Sequence, residues 1–395
     1  MWHRWVSAGL IGLGLAGSGM ASASIELVSR IEGTPPLAAG PNLGFGSLSL
    51  SDSARVTAFS SNATNLNTAD TNGAVGDIFV FDADTDSTEI LTPGGNGTSF
   101  SPVISGDGRF VAFVSVASNL AGWDTNGVGD VFLHDREANS TVLLTPGSDG
   151  ESSNPSISSD GRFVAFESQA SNLVANDANG AVADIFVYDR DNGTIVKLAA
   201  GSTPSISGDG RFVAYNSSTP NALVVFDRDT GAIEQITETS PSAGDGAIGG
   251  TVINSAPSIS QDGRFVGYVS QLDNSLDPQT PDGPLEVFLF DRDTQSTEFV
   301  AQSPNDGEGS VRVSNGGEFV FFGFASSDLT DGDTSDSTDI FVYTRATQAL
   351  NPIAQNASTP ASGTPSAEMA SFWPSLVQLM AVSYTHLTLP TIYSV

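Results

Sequence analysis

Short loops rich in Asp and Asn recur along the chain, and they carry the side chains best suited to bind a ligand. In each loop, alternate residues bear oxygen atoms around a turn, and a further carboxylate follows. Calcium takes about 6–8 hard oxygen ligands, so loops of this kind suit it. Ca²⁺ is therefore the candidate cofactor. The candidate metal ligands are Asp70, Asn72 and Asp77; Asp124, Asn126 and Asp130; Asp177, Asn179 and Asp184; and Asp331, Asp333, Asp336 and Asp339.

The same loops have a second interpretation. Asp-x-Asn-Gly is a turn signature in its own right, because Asp and Asn side chains accept hydrogen bonds from nearby main-chain amides. The segment between Pro220 and Asp227 has no such loop, and a later one is replaced by Asp282, Gly283 and Glu286. The fold therefore does not require the loop, and calcium binding and turn chemistry both remain open.

A repeat of about 50 residues positions these loops. The segment 155–166, Pro-Ser-Ile-Ser-Ser-Asp-Gly-Arg-Phe-Val-Ala-Phe, recurs with small changes from Pro102, Pro204 and Pro257. The Asp of its Asp-Gly pair falls at positions 107, 160, 209 and 262, at spacings of 53, 49 and 53 residues. In degenerate copies at the two ends, Asp52 and Asn315 are predicted to take the place of this Asp.

Each repeat reads as four short strands. Asp-Gly is a favoured hairpin turn, and the Arg-Phe-Val-Ala-Phe strand after it is apolar on both faces, as in a strand covered on both sides. Residues 184–189 are typical of the third strand and 194–198 of the fourth. Four antiparallel strands per repeat predict an all-β β-propeller of six four-stranded blades, or seven or more if the sequence is truncated. The acidic loops are then expected at one rim and the Asp-Gly turns at the other.

The repeated segment resembles the TolB-like (WD40-like) bacterial β-propeller repeat family, whose blades carry a Pro-x-x-Ser-x-Asp-Gly-Arg/Lys core. The resemblance covers residues 25–355 approximately. It implies a propeller that serves as a protein-binding platform in the bacterial envelope, or as an accessory domain of peptidases and lyases.

Charge restricts the partners. The chain has 45 acidic and 14 basic residues and a net charge of −31, so nucleic acid is a poor partner. Eight of the cations recur at fixed positions, and we expect them to form ion pairs between strands or blades. They are Arg109, Arg162, Arg211 and Arg264 after the Asp-Gly turn, and Arg136, Arg190, Arg228 and Arg292 after the third strand.

The sequence favours a binding or scaffolding module for a protein or polysaccharide over an enzyme. Cys is absent, no Gly-x-Ser-x-Gly elbow or phosphate loop occurs, and His134, within a strand, is interpreted as structural. The alternative is a polysaccharide-degrading hydrolase or lyase that uses Asp/Glu pairs. A monomer is expected.

The two ends differ from the repeats. Residues 1–23 are predicted to be a signal peptide cleaved after Ala23, which implies a periplasmic or extracellular protein with no membrane span. The propeller is assigned to 24–355. Acidic residues almost vanish in 356–395, which is predicted to be a disordered or artefactual tail.

Overall fold

The computed structural model describes residues 45–64, 66–122, 124, 126–175, 177, 179–219, 221–237, 251–253, 256–272, 285–302, 310–325 and 338–354. These ranges contain strands, turns and bends, and no helix. The predicted all-β class is therefore confirmed. The predicted signal peptide and tail lie outside the described residues.

The strands follow one another as antiparallel neighbours in six successive repeats, numbered one to six below. Repeats one and two are each a separate four-stranded sheet. The strands of repeats one to three are β1 Phe45–Leu50, β2 Val56–Ser61, β3 Asp77–Asp82, β4 Ser87–Ile90, β5 Ser99–Ile104, β6 Phe110–Ser115, β7 Asp130–Asp135, β8 Ser140–Leu143, β9 Ser152–Ile157, β10 Phe163–Ser168, β11 Asp184–Asp189 and β12 Thr194–Ile206.

The later repeats follow the same order with small variations. In repeat five the first strand is divided into two short pieces, both paired with β18. The strands are β13 Phe212–Ser218, β14 Asn221–Asp227, β15 Ile233–Gln235, β16 Thr251–Ile253, β17 Ser258–Ile259, β18 Phe265–Leu272, β19 Leu285–Asp291, β20 Ser296–Gln302, β21 Ser310–Val313, β22 Phe319–Ala325, β23 Thr338–Thr344 and β24 Ala349–Ala354.

Strand β12 is longer than the sequence predicts, because it serves two repeats. Its first half pairs with β11 and its second half with β13, which joins repeats three and four into one seven-stranded sheet. At the equivalent point repeats one and two have Thr-Pro-Gly, whereas repeat three has Ala199 and Ala200. Repeat three keeps a glycine there, Gly201, but lacks the proline, and the extended strand continues through this point.

The second and third strands are apolar on both faces because each sheet packs between neighbours. All six residues of β6 are buried. The Phe113 and Phe132 rings stack at a centroid distance of 5.5 Å and pack against Ala58 and Ile78 of repeat one. Similar apolar clusters join each later pair of successive repeats.

The first strands of successive repeats lie side by side around a common axis. The Ile104 amide donates to Ser49 Oγ of the preceding repeat at 3.1 Å, and three later boundaries repeat this bond. At one end of the axis, the Gln261 amide group donates to the Asp52 carboxylate at 2.8 Å and to the Ser159 hydroxyl, which joins repeats five, one and three.

The prediction for the degenerate turns was wrong by one position. Asp52 and Asn315 precede the position of the Asp in Asp-Gly, because the turn bonds align Ser51 and Ser314 with Ser105. Asp52 therefore lies next to Gly106, where a Cβ atom would overlap its carboxylate.

Candidate cation-binding loops

The predicted ligand loops connect the second and third strands of repeats one to three, and we call this end of the sheets the loop end. The Asp-Gly hairpins and the Asp-Arg turns lie at the opposite end, the turn end. The closing carboxylates Asp77, Asp130 and Asp184 are the first residues of β3, β7 and β11, and each is at most 1% exposed. Because the sheet holds the main chains of these three residues in place, the positions of their Cβ atoms are fixed.

In repeat three the loop surrounds the single lysine of the chain. Lys197 Nζ donates to Asp177 Oδ1 at 2.8 Å, to Asn179 Oδ1 at 2.8 Å and to Asp184 Oδ2 at 2.7 Å. Both carboxylate side chains are fully buried, and the lysine side chain is 21% exposed. Burial lowers the pKa of Lys197, but the two carboxylates outweigh that effect and raise it above its ordinary value.

Repeat one has the same oxygens without the lysine. The Asn72 amide nitrogen donates to Asp77 Oδ1 at 3.3 Å, and the Thr92 hydroxyl donates to the same oxygen at 2.7 Å. The Asn72 main-chain amide donates to Asp70 Oδ1 at 3.2 Å. Asn72 Oδ1 and Asp77 Oδ2 are buried and have no hydrogen-bond partner among the described residues. Burial raises the pKa of Asp77, its hydrogen bonds oppose this, and the Asp70 charge adds to the rise.

In repeat two, two carboxylates lie close together. Asp130 Oδ1 accepts hydrogen bonds from Thr145 at 2.6 Å and from Ser148 at 2.8 Å. Asp124 is 6% exposed, and neither of its oxygens makes a hydrogen bond of normal geometry with a described residue. Burial raises the pKa of Asp124, the Asp130 charge adds to the rise, and the Asn126 amide opposes it.

One predicted ligand in repeat two is already engaged. The Asn126 side-chain nitrogen donates to the Ser148 hydroxyl at 2.7 Å, and its oxygen accepts the Val128 amide at 3.0 Å. Asn126 therefore does not offer its oxygen as Asn72 does. This difference could not be predicted, because both loops read Asp-Thr-Asn-Gly.

The other repeats bring together fewer of the predicted residues. Repeat four replaces the loop with a tight hairpin that pairs Ser218 with Asn221, as expected. Asp331, Asp333 and Asp336 lie outside the described residues, and the main chain of Asp339 pairs with Phe324 in β22 and β23. Within the described ranges, no three His, Cys, Asp or Glu side chains form a cluster able to hold a metal. Each loop supplies two carboxylates, so other ligands must be amide, hydroxyl, carbonyl or water oxygens.

Sequence reasoning missed Lys197 as part of this site. The register pairs Lys197 with Phe186, as it pairs Ile90 with Phe79 and Leu143 with Phe132. A signal was present, since a lone lysine stands where repeats one and two have an apolar residue.

At the turn end the arginines serve the framework, as predicted. Arg109 pairs with Asp135 through two bonds of 2.9 and 2.7 Å, and Arg162, Arg211 and Arg264 make the equivalent pairs with Asp189, Asp227 and Asp291. Arg190 lies 3.9 Å from the centroid of Phe110 in the preceding repeat, and this contact recurs at the next three boundaries: Arg228 on Phe163, Arg292 on Phe212 and Arg345 on Phe265.

His134 is interior. It is 3% exposed on β7, and its Nδ1 lies 2.9 Å from the Thr141 hydroxyl. Burial lowers its pKa, so the neutral imidazole is favoured. Its structural interpretation is supported by this position.

Comparison with solved structures identifies the fold. The chain is similar to oligogalacturonate lyase from Vibrio parahaemolyticus, with 12% identity and a TM-score of 0.53 over 82% of this chain and 81% of that one. It is also similar to the β-propeller domain of the Trilobed protease from Pyrococcus furiosus, with 12% identity and a TM-score of 0.51 over 79% and 85%. Putative TolB from Agrobacterium tumefaciens shares 20% identity, with a TM-score of 0.43 over 66% and 81%.

The two similarities with TM-scores above 0.5 confirm the predicted β-propeller fold. At such identities they show the fold alone. No family model matches the sequence, and no curated protein matches it. Among the described residues, no helix is long and apolar enough to cross a membrane.

Proposed function

We propose that the chain is a secreted or periplasmic six-bladed β-propeller that acts as a rigid binding module for a protein with a basic surface. The six repeats would form a closed ring. The observation that carries the proposal is the position of the recurring arginines, which pair with carboxylates at the turn end and leave the loop-end carboxylates of repeats one and two without a cation.

The contacts at the turn end support the proposed rigidity of the module. Successive repeats are joined there by the same arginine–aromatic contact, and a second set of arginines pairs with carboxylates of the third strands. Propellers that hold their sheets in this way present loops on a stiff frame, which lowers the entropy lost on binding.

The charge of the loop end is the reason for proposing a partner with a basic surface. The net charge is −31, and the recurring cations lie in the framework at the turn end. Asp149 and Glu151, in the linker between repeats two and three, are exposed at the loop end. An uncompensated acidic surface attracts a basic partner and accelerates its association at low salt.

The enzyme alternative finds less support in the described residues. At the turn end of the axis, Gln261 and Ser159 surround a single carboxylate, that of Asp52. A glycosidase needs two carboxyl groups about 5–9.5 Å apart across a substrate. The likeness to a lyase extends to the fold and supplies no residue.

The test uses charge variants matched in number. Exported proteins of the source organism are captured at low salt on the full chain, and a purified captured protein is titrated against variants by surface plasmon resonance. We expect Asp149→Asn/Glu151→Gln to raise the dissociation constant several-fold, and Asp84→Asn/Asp229→Asn at the turn end to leave it unchanged. High salt should weaken binding.

Three results contradict the proposal. Equal effects of the two double variants would mean that the loop end does not recognise the partner. Salt-independent binding of a neutral polysaccharide, with no protein partner, would favour a carbohydrate module. Formation of new chain ends from a polysaccharide would favour the enzyme.

A further inference from the structure

The three loops differ in one respect that bears on metal binding, namely whether a cation of the chain reaches their carboxylates. In repeat three the Lys197 ammonium contacts one oxygen each of Asp177, Asn179 and Asp184 at 2.7–2.8 Å. Three converging oxygen atoms around a positive charge are a cation site, and here the cation is covalently part of the chain.

Repeat one contains the corresponding atoms. Asn72 Oδ1 and Asp77 Oδ2 correspond to the two lysine-contacting oxygens of Asn179 and Asp184, and both are buried without a described partner. Ile90 occupies the register position of Lys197. A buried carboxylate oxygen without a partner is costly unless a charge or donor compensates it.

Repeat two also contains buried carboxylate oxygens without a partner, but its residues differ from those of repeat one. Asp124 is more than nine-tenths buried, both of its oxygens lack a described partner, and it lies beside Asp130. Leu143 occupies the lysine position. Two buried carboxylates in contact, without a cation, repel each other.

We propose that the loops of repeats one and two each bind a calcium ion, and that Lys197 takes the place of this ion in repeat three. The proposal goes beyond the binding module and does not depend on its partner. Asp70, Asn72 and Asp77 would hold one ion, and Asp124 and Asp130 the other. Calcium accepts irregular coordination by carboxylate, amide and water oxygens. Magnesium requires short bonds in near-ideal octahedral geometry, so this ligand set suits calcium better.

The test combines loss and gain of a site. The full chain, freed of metal with a chelator, is titrated with calcium by isothermal titration calorimetry, and its thermal unfolding is followed with and without calcium. For wild type we expect heat of binding and a melting temperature several degrees higher with calcium. Asp124→Asn should lower the stoichiometry by one site while the protein still folds.

Lys197→Met is the variant expected to gain a site. It frees the oxygens of Asp177, Asn179 and Asp184, so the calcium stoichiometry should rise by one, and calcium should restore the stability that the variant loses in chelator. Arg55→Met removes a cation from an exposed ion pair with Asp84 and should change neither quantity. It is the matched control.

Three results would overturn the inference. If wild type shows neither heat nor a melting shift at millimolar calcium, the loops are ordinary turns. If Lys197→Met folds and binds no additional calcium, Lys197 does not replace a metal. An equal response to magnesium would contradict the assignment to calcium. Because none of these measurements involves a partner protein, they do not decide the proposed function.

Discussion

At the turn end of the sheets, buried carboxylates lie against arginines, whereas at the loop end the buried carboxylates of repeats one and two lie against amides, hydroxyls and each other. Asp291 accepts bonds from Arg264 and Arg345, and the pKa of its carboxyl falls well below its ordinary value because of the Arg264 bond. Asp124 has no such partner, and burial raises its pKa. The pKa of a buried Asp is therefore lowered at the turn end and raised at the loop end.

This difference distinguishes the charged residues that stabilise the propeller from those available to bind a ligand. The recurring arginines lie at the turn end, where they pair with strand carboxylates and cover aromatic rings. Repeat four has no acidic loop and still forms its sheet. A sheet of this fold thus forms without an acidic loop, which is the physical reason for assigning ligand binding to the acidic loops of repeats one and two.

The largest expected effect concerns the turn end. Gly210 has φ +73°, and a Cβ atom there would overlap the Phe163 ring of the preceding repeat. Gly210→Ala therefore adds steric overlap to the strain of a left-handed backbone, and we expect a loss of about 3–5 kcal/mol in the free energy of unfolding. Urea denaturation measures it.

Gly231→Ala is the matched control. Gly231 has φ +72°, but nothing lies within 4 Å of its Cβ position. It should lose only about 1 kcal/mol from backbone strain. Equal losses for the two variants would mean that contact with Phe163 does not hold the repeats together.

The second prediction concerns the buried carboxylate of the framework. Asp291 is 3% exposed, and Asp291→Asn places an amide against two arginines, so we expect a loss of about 2 kcal/mol after allowance for the partial exposure of the arginines. Asp84→Asn breaks the exposed Arg55 pair and should cost less than about 0.5 kcal/mol. A comparable loss in both would contradict the framework role of Asp291.

More of the framework than of the candidate site could be predicted from the sequence. Asp-Gly turns and doubly apolar strands dictate antiparallel sheets, and the regular recurrence of Arg109 and its equivalents indicated their pairing. The long strand β12 was missed because it depends on the absence of a turn. Lys197 was missed because its contact with Asp177 depends on strand register, and Asn126 because its orientation depends on Ser148, 22 residues away.

The third prediction compares the pH dependence of the two ends in chelator. Asp124 has a raised pKa in the folded protein, so its contribution to stability falls as pH rises from its unfolded value of about 3.9 to the folded value. Asp135 has its pKa lowered to about 2, mainly by Arg109, so its contribution is present above about pH 4 and is lost as pH falls toward 2.

Asp124→Asn should therefore stabilise the metal-free protein at pH 7 and have no such effect at pH 3. Asp135→Asn should destabilise it at pH 7 and less so near pH 2. Unfolding free energies from urea titrations between pH 2 and 7 give both slopes. Slopes of the same sign would remove the electrostatic contrast between the two ends.

The smallest expected effect concerns the hydrogen bonds that join repeats at the loop end. The Asn172 side chain donates to the Gly147 carbonyl at 2.8 Å and accepts the Asp149 amide at 3.1 Å, in an exposed position. Asn119 makes the same two bonds at the preceding boundary.

Each Asn→Ala variant should cost about 0.5–1 kcal/mol, because exposed hydrogen bonds are exchanged for bonds to water. The double variant should be additive, since the two residues lie at different boundaries. A loss as large as that of Gly210→Ala would show that the loop end also holds the ring together, and its acidic residues would then belong to the framework. A small, additive loss leaves the turn end as the structural end of the propeller and the loop end open to ligands.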